Sequence, residues 1–163
     1  MRWLKHLFTT RWHLRNAFAA DTLDAIEAAV AASELRHRGE LRFAVEAAFD
    51  LPQLLRGLTP RQRALELFAS LGVWDTAENN GVLVYVLVAE HAVEIVADRG
   101  YGGRVDAITW QDTCAHMAGS FASGDFKLGA LHGIERLTTV MASAFPGGGG
   151  RDEDELPNRP QVL

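Results

Sequence analysis

The residues richest in chemistry stand together in one short stretch, Asp75-Thr76-Ala77-Glu78-Asn79-Asn80-Gly81. Asp75, Glu78, Asn79 and Asn80 place four oxygen-bearing side chains in one loop. Hard cations such as calcium and magnesium bind through several converging oxygens, so this is the make-up of a cation-binding loop. An ion held there would polarise a phosphoryl oxygen or a water, the basis of metal-assisted phosphate ester hydrolysis. Asp98 and Asp106 flank a second loop, Arg99-Gly100-Tyr101-Gly102-Gly103, and can approach from it. The plainer reading of the same residues is structural. Asp and Asn brace turns by bonding their side chains to nearby backbone, and Asp75 and Asn80 are placed to do so.

Two strands must position these loops. Val82-Leu83-Val84-Tyr85-Val86-Leu87-Val88 is apolar without alternation and rich in β-branched residues, so it reads as a strand buried on both faces. After the break Ala89-Glu90-His91-Ala92, a second strand alternates. Val93, Ile95 and Ala97 share one face; Glu94, Val96 and Asp98 share the other. Two such runs across a short polar break predict an antiparallel hairpin, which brings the two polar loops to one end of the sheet.

A third strand is predicted near 40–47, where Leu41, Phe43 and Val45 face one way and a partly polar set faces the other. Helices surround these strands. One starts at Asp21-Thr22-Leu23-Asp24 and runs to about Arg38, ending at Gly39, with Leu23, Ile26, Ala29 and Val30 as its stripe. Thr59-Pro60-Arg61-Gln62 is a capping box with Pro at the first helical position, and Ala64, Leu65, Phe68 and Leu71 form the stripe behind it. A third helix starts at Thr109-Trp110-Gln111-Asp112, with Trp110, Cys114, Met117 and Phe121 on one face. Cys114 on that stripe reads as a buried, inert thiol. The last helix follows Asp125 and carries Phe126, Leu131, Ile134, Thr138, Met141 and Phe145 inward.

Composition bounds the rest. The 163 residues suffice for one domain with a sizeable core. A net charge of −5 argues against general nucleic-acid binding. A single cysteine excludes an intrachain disulfide and a cysteine-built zinc site. The six histidines, His6, His13, His37, His91, His116 and His132, form no ligand spacing. No nucleophile elbow, P-loop, dinucleotide fingerprint or zinc-protease motif is present. No stretch approaches the ~20 apolar residues that span a bilayer.

The first 20 residues carry Arg2, Lys5, Arg11 and Arg15 and no acidic residue, interleaved with Trp3, Leu4, Leu7, Phe8, Trp12 and Phe18. Ala17-Phe18-Ala19 has the small-residue spacing of a signal-peptidase site, but Arg11, His13 and Arg15 break any apolar run before it, so a signal peptide is rejected. The segment suits an interfacial helix on an anionic membrane or on a protein partner. The alternative is an arm packed on its own domain. At the other end, Pro146 and four glycines close the fold. Residues Arg151 to Leu163 then read as a mobile, solvated tail ending in Leu156-Pro157-Asn158-Arg159-Pro160, the make-up of a short docking segment.

The ordered blocks WD…NNGVLVYV…VEIVADRGYG, preceded by ALELFASLGVW and followed by FASGDFKLGALHGIERL, resemble the TPM domain family over roughly residues 21 to 146. The resemblance implies a three-layer α/β/α sandwich with a small mixed sheet. It also implies links to acid phosphatase activity, to divalent-cation binding (calcium or magnesium here) and to protein complexes at membranes. The same resemblance maps the family's cation cleft onto Asp75 and Asp106; with Asn80 from the first loop, these residues would hold the cation. The chain departs from the family pattern where a glutamate commonly follows the GYG turn. Gly103-Arg104 stands there, and Arg104 would repel a metal and attract a phosphate or carboxylate instead.

These readings lead to one expectation. A basic, Trp-rich arm (1–20), an α/β domain (21–146) and a Gly-rich, acidic tail (147–163) form a non-catalytic TPM-type protein with no required cofactor. It is expected to be cytoplasmic, with a peripheral membrane or protein contact through residues 1–20. A cation-dependent phosphatase using a cleft of Asp75, Glu78, Asn79, Asn80, Asp98, Tyr101, Arg104 and Asp106 is the alternative.

Overall fold

The computed structural model describes residues 2–147 and 155–163. The chain runs α1 (Arg2–Phe8), α2 (Arg11–Ala17), α3 (Ala20–Glu34), β1 (Glu40–Glu46), α4 (Leu51–Leu55), α5 (Pro60–Ser70), β2 (Gly81–Leu87), β3 (Ala92–Ala97), α6 (Ala107–Ala122), α7 (Phe126–Ala144) and β4 (Gln161–Val162). The four strands form one open mixed sheet in the order β3-β2-β1-β4. β1 is parallel to β2 and to β4, and β2 is antiparallel to β3.

The pleat splits the core in two. On one face Leu41, Phe43 and Val45 of β1, Val82, Val84 and Val86 of β2, and Val93 and Ile95 of β3 meet Ile26, Val30, Met117, Phe121, Ile134, Leu137 and Met141 from α3, α6 and α7. On the other, Ala44, Leu83, Tyr85, Leu87 and Val96 meet Leu54, Ala64 and Leu67 from α4 and α5. Helices therefore cover both faces, which makes the three-layer α/β/α sandwich and explains why every residue of β2 is buried.

Four local readings need correction. α3 stops at Glu34 instead of about Arg38, because Leu35 turns out to solvent and His37 bridges to Pro146 while its ring bonds back to Ser33. α6 begins at Ala107, two residues before Thr109. Leu65 of α5 is exposed and Leu67 is buried in its place, since the helix turns its Ala64–Leu67 edge to the sheet. The short α4, capped reciprocally by Asp50 and Gln53, is an element that hydrophobic periodicity did not signal over its five residues.

The tail reading is corrected as well, for residues 155–163. Leu156 is buried in the second core, and Gln161 and Val162 pair with Ala44 and Val45 of β1. The remaining part of that reading, 148–154, lies outside the described residues.

Candidate functional site

The hairpin brings the two polar loops together as its geometry demands. Asp98 N–H donates to the Gly81 carbonyl at 2.9 Å, and Gly100 N–H donates to the Asn79 carbonyl at 2.9 Å. Two close approaches require glycine here, one between the loops and one between β2 and the segment before it. A Cβ on Gly100 would meet the Asn79 oxygen at 2.4 Å, and one on Gly81 would meet the Val73 oxygen at 2.0 Å. Asn79 adopts the left-handed conformation (φ 53°) that asparagine tolerates better than most residues.

Asn80 is the hub. Its N–H donates to Thr76 Oγ1, its side-chain amide donates to the Arg38 carbonyl, and its carbonyl accepts from Glu40 N–H and from the Tyr101 hydroxyl at 3.0 Å. Tyr101 is buried edge-on against Trp110 and Phe145. Burial, with Glu40 and Asp98 nearby, pushes its phenol well above the ordinary range, so it stays a neutral donor.

The other predicted site residues divide. Asp98 caps the turn after β3 through Arg99 N–H at 2.7 Å. Glu78 is spent on an ion pair with Arg38. Asp75 and Asp106 are exposed; Asp106 stands at the N-cap of α6 without a side-chain cap bond. Arg104 points away to the end of α7, where it donates to the Ala144 carbonyl at 2.8 Å and lies 4.7 Å over the Phe145 ring.

The loops supply two buried oxygens with no hydrogen-bond partner, Asn80 Oδ1 and Asp98 Oδ2. Calcium asks for about six to eight oxygens and magnesium for an octahedron. Among the described residues no three Asp, Glu, His or Cys side chains converge on one point. The donor set therefore does not fit a complete cation site.

A second cluster escaped the sequence reading because its members are far apart in the chain. Glu90, in the turn between β2 and β3, accepts from Arg2 and from His6, each at 2.7 Å. Burial raises the Glu90 carboxyl, but the hydrogen bonds from Arg2 and His6 and the charge of Arg2 outweigh it and hold the group below the ordinary range. Arg2 reaches the Leu58 carbonyl too. Leu14, Ala17 and Phe18 of the N-terminal segment join the main core. One side of α1 and α2 is thus fixed to the domain. The other side exposes Trp3, Leu4, Leu7, Phe8 and Trp12. Leu4 and Phe8 also line a groove of about 660 Å³, with Lys5 and His13 beside them and Val88, Ala89 and Phe126 of the domain opposite.

The fold is an α/β/α sandwich whose β2–β3 hairpin, at one edge of the sheet, brings two glycine-containing loops together. Residues 14–140 match the TPM domain family, and the chain belongs to it. The chain is similar to the BA42 protein of the psychrophilic bacterium Bizionia argentinensis, whose NMR structure superposes with a TM-score of 0.77 at 30% identity. That match covers 89% of this chain and 94% of the other. The N-terminal domain of the cg2496 protein from Corynebacterium glutamicum superposes with a TM-score of 0.57 over 84% of this chain and 81% of its own; at 13% identity this speaks for the fold alone. No curated protein sequence matches the chain.

Proposed function

We propose that this chain is a non-catalytic TPM domain that works in a protein complex at a membrane surface, with α1 and α2 as the membrane contact. The observation that carries the reading is the outer face of those helices. Leu7, Phe8 and Trp12 are 66%, 72% and 64% exposed, beside Trp3 and Leu4. Lys5, Arg11 and Arg15 are exposed around them, and the segment holds no acidic residue. Exposed apolar side chains interleaved with exposed cations along two short helices, on a chain of net charge −5, match an anionic headgroup layer over an apolar interior. The Glu90 anchor holds the patch in place, so binding needs no folding step. Among the described residues no helix is long and apolar enough to cross a membrane.

Flotation of the full chain with vesicles containing phosphatidylglycerol tests this. Binding at low salt, weakened by salt and lost in a Trp3→Ser, Phe8→Ser, Trp12→Ser variant, is the expected outcome. Equal behaviour with neutral vesicles, or no flotation at low salt, overturns the membrane contact.

The second reading, a divalent-cation-dependent acid phosphatase at Asp75, Asn80 and Asp106, has the unpartnered oxygens of Asn80 and Asp98 in its favour. Cation-dependent turnover of a generic phosphate ester that Asp75→Asn abolishes would replace the non-catalytic reading.

A further inference from the structure

The C-terminal segment is held as a bound peptide is held. Five kinds of contact fix residues 155–163. The Glu155 carboxylate accepts from Ala77 N–H at 3.0 and 3.2 Å. Leu156 N–H donates to Glu40 Oε2, and its side chain is buried in the second core. The carbonyls of Pro157 and Arg159 and the side chain of Gln161 accept from the Arg42 guanidinium. The Arg159 guanidinium reaches Asp24 at 2.8 Å and Glu27 at 2.6 Å on α3. Last, Gln161 and Val162 add to β1 in parallel, and Leu163 N–H donates to the Val45 carbonyl at 2.9 Å.

This is recognition by strand addition. Main-chain bonds along a sheet edge give attachment, and separate pockets read alternate side chains. The key receptor group is Arg42. It is 6% exposed, yet its described partners are all oxygens of the tail. A buried guanidinium without a carboxylate partner is costly unless its donors are filled, and peptide carbonyls fill them regardless of sequence. The tail lies beyond the residues that match the TPM family, 14–140. Its own strand is two residues long against six or seven in the others. The tail is therefore the smallest of the four contributions to the sheet.

We infer that the β1 edge, with Arg42 at its centre, is a peptide-docking groove, and that residues 155–163 are its tethered, displaceable occupant. The external ligand is an extended segment of a partner protein with the tail's chemistry: an acidic residue, a leucine, a proline-flanked arginine that meets Asp24 and Glu27, then an apolar end that pairs with β1. Tethering raises the tail's local concentration, so the groove opens to a partner only when the partner's segment binds better or the tail is drawn off.

The test uses the full chain and a fluorescent peptide of residues 155–163. Leu156→Ser with Arg159→Ser weakens the tethered copy. The peptide is expected to bind this variant about tenfold or more tighter than it binds the natural chain, since the tethered competitor is then weakened. Adding Arg42→Ala should remove that binding. Failure of the peptide to bind the weakened variant overturns the inference. So does loss of folding in that variant, because the tail would then be an integral strand. Amide exchange on the unaltered chain is the independent measurement. Leu163 N–H should exchange by local opening, well before the β2 amides; exchange only by global unfolding overturns a displaceable tail. A natural chain that is a tail-exchanged dimer in solution overturns it too, since a second copy would then own the groove.

Discussion

His6 Nδ1 accepts the backbone N–H of Phe49 at 2.9 Å while the two rings stack with centroids 5.2 Å apart. That bond fixes the tautomer: with Nδ1 as acceptor, Nε2 carries the proton and gives it to Glu90 at 2.7 Å. One buried imidazole thus ties α1 to the segment before α4 and to the β2–β3 turn. His6→Ala leaves the Phe49 N–H unpaired and Glu90 short of a donor. The expected cost is about 1–3 kcal/mol of stability, read as a lower urea midpoint. Vesicle flotation should also weaken, because the exposed aromatic face loses its support. Unchanged stability would show that α1 is not anchored there.

His37 predicts the acid response. Burial pulls its pKa down from 6.5 to about 4, and the charge of Arg36 adds to the fall. Below pH 6.5 the unfolded chain takes a proton that the folded chain refuses. Stability is therefore fully present above that pH and falls as pH drops toward 4, by up to about 3 kcal/mol in total. Urea midpoints measured at pH 7 and at about pH 5 should differ in that direction, and His37→Gln should flatten the difference. A midpoint that rises on acidification would contradict the burial of a neutral ring.

Tyr85 and Glu46 make the test of the second core. The buried Tyr85 hydroxyl donates to Glu46 Oε2 at 2.7 Å, and Arg63 grips both Glu46 oxygens at 3.0 and 3.1 Å. Tyr85→Phe removes one of three donors and should cost about 1 kcal/mol. Glu46→Leu leaves Arg63 with Glu66 alone, at 3.3 Å, and the buried Tyr85 hydroxyl without its acceptor, and should cost about 2–3 kcal/mol. Thermal melts of the two variants should keep that order; the reverse order would mean that the Glu66 pair alone satisfies Arg63.

What could be read from the sequence follows physical range. β2 declared itself because seven apolar residues in a row leave no alternative face for water, and the β2–β3 hairpin followed from a four-residue break. The meeting of the two loops followed from that hairpin alone. The parallel pairing of β1 with β2 joins segments some 40 positions apart, and no local pattern encodes it. The same holds for Glu90 with Arg2 and His6, and for Arg42 with the tail. The clue to both was present but unspecific: charged residues alternating on a strand that turns out to be buried throughout, and basic residues in an arm that had two possible homes. Leu156 misled because a proline-rich acidic segment has the composition of a solvated tail, while one leucine and one buried arginine suffice to seat it.

Arg104→Glu tests whether the departure from the family pattern matters for a cation. Arg104 caps the C-terminal end of α7 by donating to the Ala144 carbonyl, and its guanidinium lies over Phe145. A glutamate there forfeits the hydrogen bond and the cation–π contact and puts a negative charge at the negative end of a helix. Each loss is worth about 0.5–1 kcal/mol on an exposed surface, so a drop of about 1–2 kcal/mol is expected. If the loop cluster were a cation site disabled only by this residue, the variant should gain calcium binding. The donor count argues against that. Asp75 and Asp106 are exposed, Glu78 is paired with Arg38, and the loops contribute two unpartnered buried oxygens. Calorimetric titration of calcium into the metal-stripped natural chain and into the variant should therefore give no heat at millimolar ion in either. Binding that appears in the variant and vanishes on adding Asp75→Asn would show that Arg104 alone had silenced the cleft. The phosphatase reading would then return.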